Sequence, residues 1–382
     1  MPTTHNICAN NTQYLEERKR TRQCRFPTRG KRTQQCRFPT RGKRTRQCRF
    51  PTRGKTLPLL QMTKKIFITG ASGCIGHYMA ETLIQQTNHE LYLLVRNPDK
   101  LKFDSKARPG INILQGDMRD IEQYAELLQT IDVAILAATA WGGTQEVFDV
   151  NVNKTLRLIQ LLSPQTCQQV IYFSTASILG NDNNLLKEAG ELGTDYIRSK
   201  YDCMTQLSEL KNVPPITALY PTLVLGGDTN KPVSHLSSGI PQVTKWIGLI
   251  RWLKADGSFH FIHGADIATV VNYLVEHPAA SDEPRHFVLG NSPITANQAV
   301  EEACAYLNKT IFFRITLSVG LANFFIWLFR IQLAAWDRFC ISYRHFTYQN
   351  FVNPETIGLP SYCGTIADML KTSGIPGKNI KS

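Results

Sequence analysis

From residue 64 onward, short apolar runs and amphipathic stretches take turns along the chain. Lys65-Ile66-Phe67-Ile68-Thr69 is a β-rich run, and a helical stripe at Ile75, Met79, Leu83 and Ile84 follows it. Further strand-like runs fall at Glu90–Val95, Ile111–Leu114, Asp132–Ala138, Gln169–Thr175 and about 216–220, with helical patterns near 121–130 and 148–163. Runs that are apolar at nearly every position, not at alternate ones, suit strands covered on both faces. Strands alternating with helices in this way predict an α/β fold, a Rossmann-type doubly wound parallel sheet.

Composition fits a globular body: 42% of the 382 residues are hydrophobic and 19% charged. The formal net charge of +13 invites a nucleic-acid or membrane-surface reading until its position is considered. Residues 1–61 carry 16 Lys+Arg and 2 acids, whereas 62–382 carry 27 and 28, so the body is electrically ordinary. Within the basic segment Lys19–Gly30 and Lys43–Gly54 both read KRTRQCRFPTRG, and Lys31–Gly42 differs only at Gln34. One Phe and one Cys per unit cannot supply the apolar face that stacked repeats bury, which excludes a solenoid and predicts disorder. Three roles stay open for it: an Arg/Phe arm on RNA or DNA, an arm on an anionic membrane, or none in the folded protein. The third is favoured here, because near-identical repeats are what a translated upstream DNA repeat would leave. Met62-Thr63-Lys64-Lys65, leading at once into the first strand, is then the natural start.

Of ten cysteines, four lie in that segment, and the other six show no CxxC spacing or Cys/His cluster. This argues against a disulfide scaffold or a structural zinc and fits a reducing, cytoplasmic setting. Leu57-Pro58-Leu59-Leu60 is too short to be the apolar core of a secretory signal.

The first strand ends in Gly70-Ala71-Ser72-Gly73-Cys74-Ile75-Gly76 and opens a helix, the context a phosphate-binding loop requires. Gly70 permits the tight turn, Gly73 lets the backbone approach a pyrophosphate, and Gly76 lets helix and strand pack closely. The second strand ends at Arg96, where an acid would bind the ribose 2′-hydroxyl of NAD and an arginine can meet the 2′-phosphate of NADP. NADP is therefore expected over NAD. Small residues after the fourth strand, Ala137 and Ala138 among them, suit close cofactor approach. The organisation expected is a disordered tail over 1–61, an NAD(P)-binding domain over 62–225, and mainly a substrate lobe over 226–382. That last part is expected to return to the sheet near 260–290 and to form an apolar helix near 315–337.

Tyr196-Ile197-Arg198-Ser199-Lys200 sets Tyr196 and Lys200 four apart on one face of a predicted helix, and the preceding strand ends in Ser174-Thr175-Ala176-Ser177. A phenol near pKa 10 is a poor acid or base at neutral pH, and a neighbouring ammonium lowers that pKa. A hydroxyl at the strand end can hold a substrate carbonyl oxygen beside the same tyrosine.

With these motifs the chain resembles the extended short-chain dehydrogenase/reductase superfamily, and within it the NAD-dependent epimerase/dehydratase family, over about residues 64–300. The resemblance rests on TGASGCIG (69–76), GDMRD (116–120), NVNKTLRLI (151–159), STASILG (174–180), YIRSK (196–200), YPTLVLGG (220–227) and FIHGADIA (261–268). It implies catalysis by Thr175, Tyr196 and Lys200, with Lys200 also holding the nicotinamide ribose and Asp117 contacting adenine. It places Gly70, Gly73, Cys74, Ile75, Gly76, Arg96, Asp117, Met118, Ala137, Ala138 and Pro221 around the cofactor. Asp266 resembles a structural aspartate, as an acid opening a helix would be in any case.

Departures from the family pattern narrow the reaction. Ala176-Ser177 stands where sugar dehydratases carry an acid pair, and Tyr220-Pro221-Thr222-Leu223 where nucleotide-sugar epimerases carry Arg-Pro-x-Asn. Pro221–Val224 and Val95-Arg96-Asn97-Pro98 are more similar to the dihydroflavonol-reductase and 3β-hydroxysteroid-dehydrogenase side. The expected activity is NADPH-dependent reduction of a ketone or aldehyde, or its reverse, on a small-molecule carbonyl or alcohol. The alternatives are a nucleotide-sugar epimerase and a non-catalytic NAD(P)-binding assembly or RNA-binding factor. Ile315–Phe329 has 15 residues without an ionisable group, fewer than the roughly 20 that span a bilayer. It is expected as a core helix lining an apolar pocket, with peripheral membrane contact through 315–337 as the other reading. N-terminal sequencing of the native protein is expected to return a chain beginning at Met62, and a mature chain beginning at Met1 overturns the start-site reading.

Overall fold

The protein is described from a computed structural model covering residues 63–278, 285–328, 330 and 332–377; the basic repeats and Met62 lie outside the described residues. The chain enters through β1 (Lys65–Thr69), α1 (Cys74–Gln86), β2 (Glu90–Val95) and β3 (Ile111–Gln115). A short α2 (Ala125–Leu128) precedes β4 (Val133–Leu136), and α3 (Thr144–Phe148) and α4 (Thr155–Leu161) lead to β5 (Gln169–Phe173). The pair α5 (Lys187–Leu192) and α6 (Asp195–Leu207) comes before β6 (Ile216–Pro221).

Beyond β6 lie β7 (Leu223–Leu225), α7 (His235–Lys245), α8 (Ile247–Ile250), β8 (Leu253–Ala255), β9 (Ser258–Phe259) and β10 (Phe261–His263). The helix α9 (Gly264–Glu276) crosses back to β11 (Arg285–Leu289). The remainder comprises β12 (Ile294–Thr295), α10 (Ala296–Tyr306), β13 (Ile315–Leu317), α11 (Val319–Leu328), α12 (Ala335–Tyr343), β14 (His345–Phe346) and α13 (Ile366–Thr372).

Seven parallel strands form the main sheet in the order β3-β2-β1-β4-β5-β6-β11. The chain reverses direction between β1 and β4, the switch point where an open α/β sheet leaves a ligand crevice. Alternate residues of each strand face opposite layers. Ile66, Ile68, Val133 and Ile135 pack with Met79 and Leu83 of α1 and Val271 and Leu274 of α9, all buried. Phe67, Ala134, Leu136 and Tyr172 pack on the other side with Leu158 and Ile159 of α4 and Cys203 of α6. Cover on both faces is why these strands read as continuous apolar runs.

Some elements depart from the sequence expectation. The helix expected near 121–130 is a 3₁₀ segment, Met118–Tyr124, running into α2. The helix expected over 148–163 is α3 and α4 joined by a π-helical segment, Asp149–Lys154. There the Thr155 hydroxyl donates to the Val150 carbonyl at 2.9 Å. The apolar stretch from 315 is not one core helix: Ile315–Leu317 pairs in parallel with β8. Ser318 then stops the strand, and its hydroxyl accepts the Leu321 N–H at 3.2 Å to start α11. Ile315 and Leu328 are exposed. Among the described residues no helix is long and apolar enough to cross a membrane.

The C-terminal segment is knitted into the sheet domain. β14 pairs in parallel with β9, and Leu289 of β11 bridges to Val352. Tyr348 Oη donates to the Ala176 carbonyl at 2.8 Å. Asp266, buried in the first turn of α9, accepts the backbone N–H groups of Tyr362 (2.6 Å) and Cys363 (3.1 Å). Burial nevertheless pushes its carboxyl up to about 6. Replacing Asp266 by Ala strands two N–H donors, that of Cys363 buried, and is expected to cost about 2 kcal/mol of stability, read from the urea midpoint. An unchanged midpoint would show that the segment docks without this anchor.

Candidate functional site

The site is assembled at the C-terminal ends of the parallel strands, beginning with the turn after β1. Gly70 has φ +79°, a left-handed conformation that favours glycine, and a Cβ there would lie 2.6 Å from the Ala137 carbonyl carbon and the Ala138 nitrogen. The turn thus lies directly against the chain leaving β4, held by the Ala138 N–H donating to Thr69 Oγ1 at 3.2 Å. A Cβ on Gly76 would overlap the Gly70 carbonyl oxygen, so this glycine is required for α1 to pack on the turn. Gly73 differs: a Cβ there meets only the Gly70 oxygen, at an ordinary 3.4 Å. No protein packing demands glycine at 73, which suits a position left bare for a pyrophosphate. Cys74 and Ile75 follow in the first turn of α1, whose N–H groups have no intrahelical acceptor. This cradle fits a dinucleotide.

His77, one turn into α1, is a residue that sequence reasoning passed over. Its Nδ1 lies 2.9 Å from the Gly73 carbonyl oxygen, and its Nε2 takes the Lys102 N–H at 3.2 Å. The neutral ring therefore carries its proton on Nδ1 and ties the loop after β2 to the glycine turn; burial lowers its pKa. Burial also pushes the Cys74 thiol up to about 11, leaving it protonated and unreactive at neutral pH.

Arg96 stands at the end of β2 with its side chain 69% exposed, 3.5 Å from Glu146 Oε1. Asp117, after β3, accepts from the Arg119 backbone N–H (2.9 Å), Nε (3.1 Å) and Nη2 (2.9 Å). The Arg119 guanidinium, helped by Arg96, holds its carboxyl below the usual range. Two guanidinium groups thus flank one acid at the edge of β2 and β3. Met118 is buried behind it, and Pro221 closes β6 opposite Leu289 of β11.

The three candidate catalytic residues meet at the end of β5. Thr175 is buried, and its Oγ1 accepts the Ser177 N–H at 3.3 Å, starting the turn Ala176–Ile178. Tyr196 and Lys200 lie one turn apart on α6, which Thr194 caps by accepting the Ile197 N–H. Lys200 Nζ donates to the Phe173 carbonyl at 2.8 Å and lies 4.9 Å from the centre of the Tyr172 ring. Burial lowers Lys200 to about 8 and raises Tyr196 to about 12, a rise opposed by the hydroxyl contact with Thr175.

Two further residues complete the geometry. Asn151, fully buried on the π-helical segment, accepts from the Ala140 N–H (2.8 Å) and Thr139 Oγ1 (3.1 Å). Its Nδ2 donates to the Ala140 carbonyl (3.1 Å) and to Ser199 Oγ (3.0 Å), which in turn donates to the Tyr196 carbonyl (2.8 Å). It thereby fixes the loop after β4 against the helix that carries Tyr196. Trp141, next on that loop, stacks on the Tyr196 ring with centroids 4.0 Å apart and planes at 18°. A lone Asn inside NVNKTLRLI and a lone Trp in a loop carry no spacing signal, and so escaped sequence reasoning. Among the described residues no group of three His, Cys, Asp or Glu side chains is arranged to hold a metal.

The glycine cradle at the switch point and the Thr/Tyr/Lys cluster lie on the same edge of the sheet. The sequence profile of the NAD dependent epimerase/dehydratase family matches residues 66–290, and the chain belongs to that family. Isoflavone reductase homolog A622-like of Nicotiana tabacum is 32% identical over 99 residues, 24% of this chain and 31% of that protein. The chain thus spans about a third of the length of the curated relatives it first matches. The solved structure of gox2253 has TM-score 0.60 at 16% identity, covering 82% of this chain and 100% of that one. The Bordetella bronchiseptica enzyme WbmG, solved in complex with NAD, has TM-score 0.55 at 14% identity, covering 83% and 96%. At these identities the likeness is one of fold.

The Lys200 shift has a kinetic consequence. Above pH about 8 the buried Lys200 ammonium is lost, so any kcat/KM that depends on its charge is expected to fall as pH rises through that value. Lys200→Met is expected to remove that limb while lowering the rate about 10²-fold or more, measured as a pH–rate profile. An unchanged profile in the variant would assign the titration elsewhere.

Proposed function

We propose that this protein reduces a ketone or aldehyde with NADPH, or oxidises the corresponding alcohol. The observation carrying this reading is that Thr175, Tyr196 and Lys200 meet at the end of β5, on the same edge of the sheet as the Gly70–Gly76 cradle. A bound reduced nicotinamide supplies hydride to the carbonyl carbon. Thr175 Oγ1 holds the carbonyl oxygen, and Tyr196 gives it the phenolic proton, so that the product is an alcohol and the tyrosine is left as phenolate. Lys200 stabilises that phenolate at a cost already met by its burial. Asn151 keeps the loop after β4 from drifting off α6.

Arg96 supports NADPH: its guanidinium is largely exposed and lies 3.5 Å from Glu146, a partner a phosphate can displace. The chain carries Ala176-Ser177 after Thr175 and Tyr220-Pro221-Thr222-Leu223 at the end of β6, which leaves dehydration and nucleotide-sugar epimerisation less supported than carbonyl reduction. The N. tabacum relative, by its name a reductase homologue, agrees with this reading.

Tyr196→Phe is expected to lower NADPH oxidation over a panel of carbonyl compounds by about 10²- to 10⁴-fold while NADPH still binds. Titration should show NADPH bound more tightly than NADH, and Arg96→Ala should narrow the gap. Retained turnover in Tyr196→Phe overturns the catalytic assignment, and tighter NADH binding overturns the cofactor assignment.

A further inference from the structure

A cavity of about 330 Å³ lies in the lobe between α7 on one side and α10 and α13 on the other. Its volume is at the lower end of the roughly 300–1,000 Å³ typical of small-molecule sites. No Asp, Glu, Lys or Arg lines it; beyond His235 and Thr244 the walls are glycine and apolar side chains such as Ile240, Phe261 and Met369. His235 connects it to the chemistry. Its ring, on the first residue of α7, is 5.0 Å from Trp141, which stacks on Tyr196. The cavity thus begins two rings away from the proton donor.

Gly239 gives a second, independent sign. It lies inside α7, where glycine weakens a helix relative to alanine. A Cβ at 239 would meet nothing within 4 Å, so neither packing nor backbone demands the glycine. Its missing side chain leaves the cavity open. Trp141 sits between a fixed and an open stretch: Asn151 pins Ala140 before it, whereas Gly142 and Gly143 follow it, Gly143 at φ +77° with open space around both. The indole is 56% exposed despite its stack on Tyr196.

We propose that this cavity holds the hydrocarbon body of the substrate, with Trp141 as the aromatic gate between it and Tyr196. The substrate is then a carbonyl compound bearing an unbranched or flat apolar chain, not a polyhydroxylated sugar, whose hydroxyls would find only His235 and Thr244 for partners. This rests on the carbonyl-reductase reading, but binding can be measured without turnover.

The test titrates the full chain, loaded with NADPH, with 1-hexanol, 1-octanol and 1-decanol by tryptophan fluorescence, and in parallel follows NADPH oxidation with the matching aldehydes. Affinity is expected to rise with length, up to about fourfold per buried methylene. Gly239→Phe, which puts a ring into the cavity, should flatten that rise by at least tenfold at 1-decanol. Val243→Trp, at a rim position 56% exposed, should do the same where Gly239→Phe fails to fold. NADPH binding reports folding in each case. Affinity independent of chain length, or a rise that folded filled variants retain, overturns the cavity assignment even if aldehydes are turned over. Length-dependent alcohol binding lost in the filled variants, with no aldehyde turned over, upholds the cavity and overturns the reductase reading instead.

Discussion

The close approach of Gly70 to the residues leaving β4 is the constraint on which the rest depends. Because a single Cβ would collide there, the turn after β1 and the loop after β4 form one continuous wall at the switch point of the sheet. That wall sets where α1 begins, and so where its unpaired N–H groups point. It also sets where the loop through Ala138 and Ala140 runs, and that loop is the one Asn151 ties to α6. The glycine turn and the helix that carries Tyr196 and Lys200 are therefore placed relative to each other by two short connections, one steric and one hydrogen-bonded.

Electrostatics in this arrangement works through burial. Lys200 is buried with one carbonyl acceptor and an aromatic face, and its charged form is disfavoured enough to bring its pKa to about 8. Tyr196 is pushed the other way by the same desolvation. In this state the two groups are a neutral phenol and an ammonium close to losing its proton. Negative charge arising on the phenol would relieve the ammonium, and the ammonium would relieve the phenolate.

Much of this was legible in the residues. Strands apolar on both faces, a glycine turn between strand and helix, and a Tyr and Lys four apart carry local signals that tertiary packing did not override. The parallel sheet and the candidate site follow from them. What was not legible has specific physical causes. Asn151 acts because a π-helical segment turns it toward the loop after β4, and helical periodicity contains no trace of that extra residue. Trp141 acts through a stack on a residue far away in sequence. The stretch from Ile315 is uniformly apolar, so hydropathy alone could not show that its first residues pair with β8 while Ser318 starts a helix. His77 reads as one more residue of an amphipathic helix until both its ring nitrogens are seen to be engaged.

The C-terminal segment carries a different lesson. The family profile ends at residue 290, yet Tyr348 reaches the carbonyl of Ala176, the neighbour of Thr175, and residues 362 and 363 hang from Asp266. Homology and cooperativity thus draw different borders. The part of the chain beyond the family profile is hydrogen-bonded to the turn that follows Thr175. A change in that segment would reach the turn after β5 without touching any residue that the family profile covers.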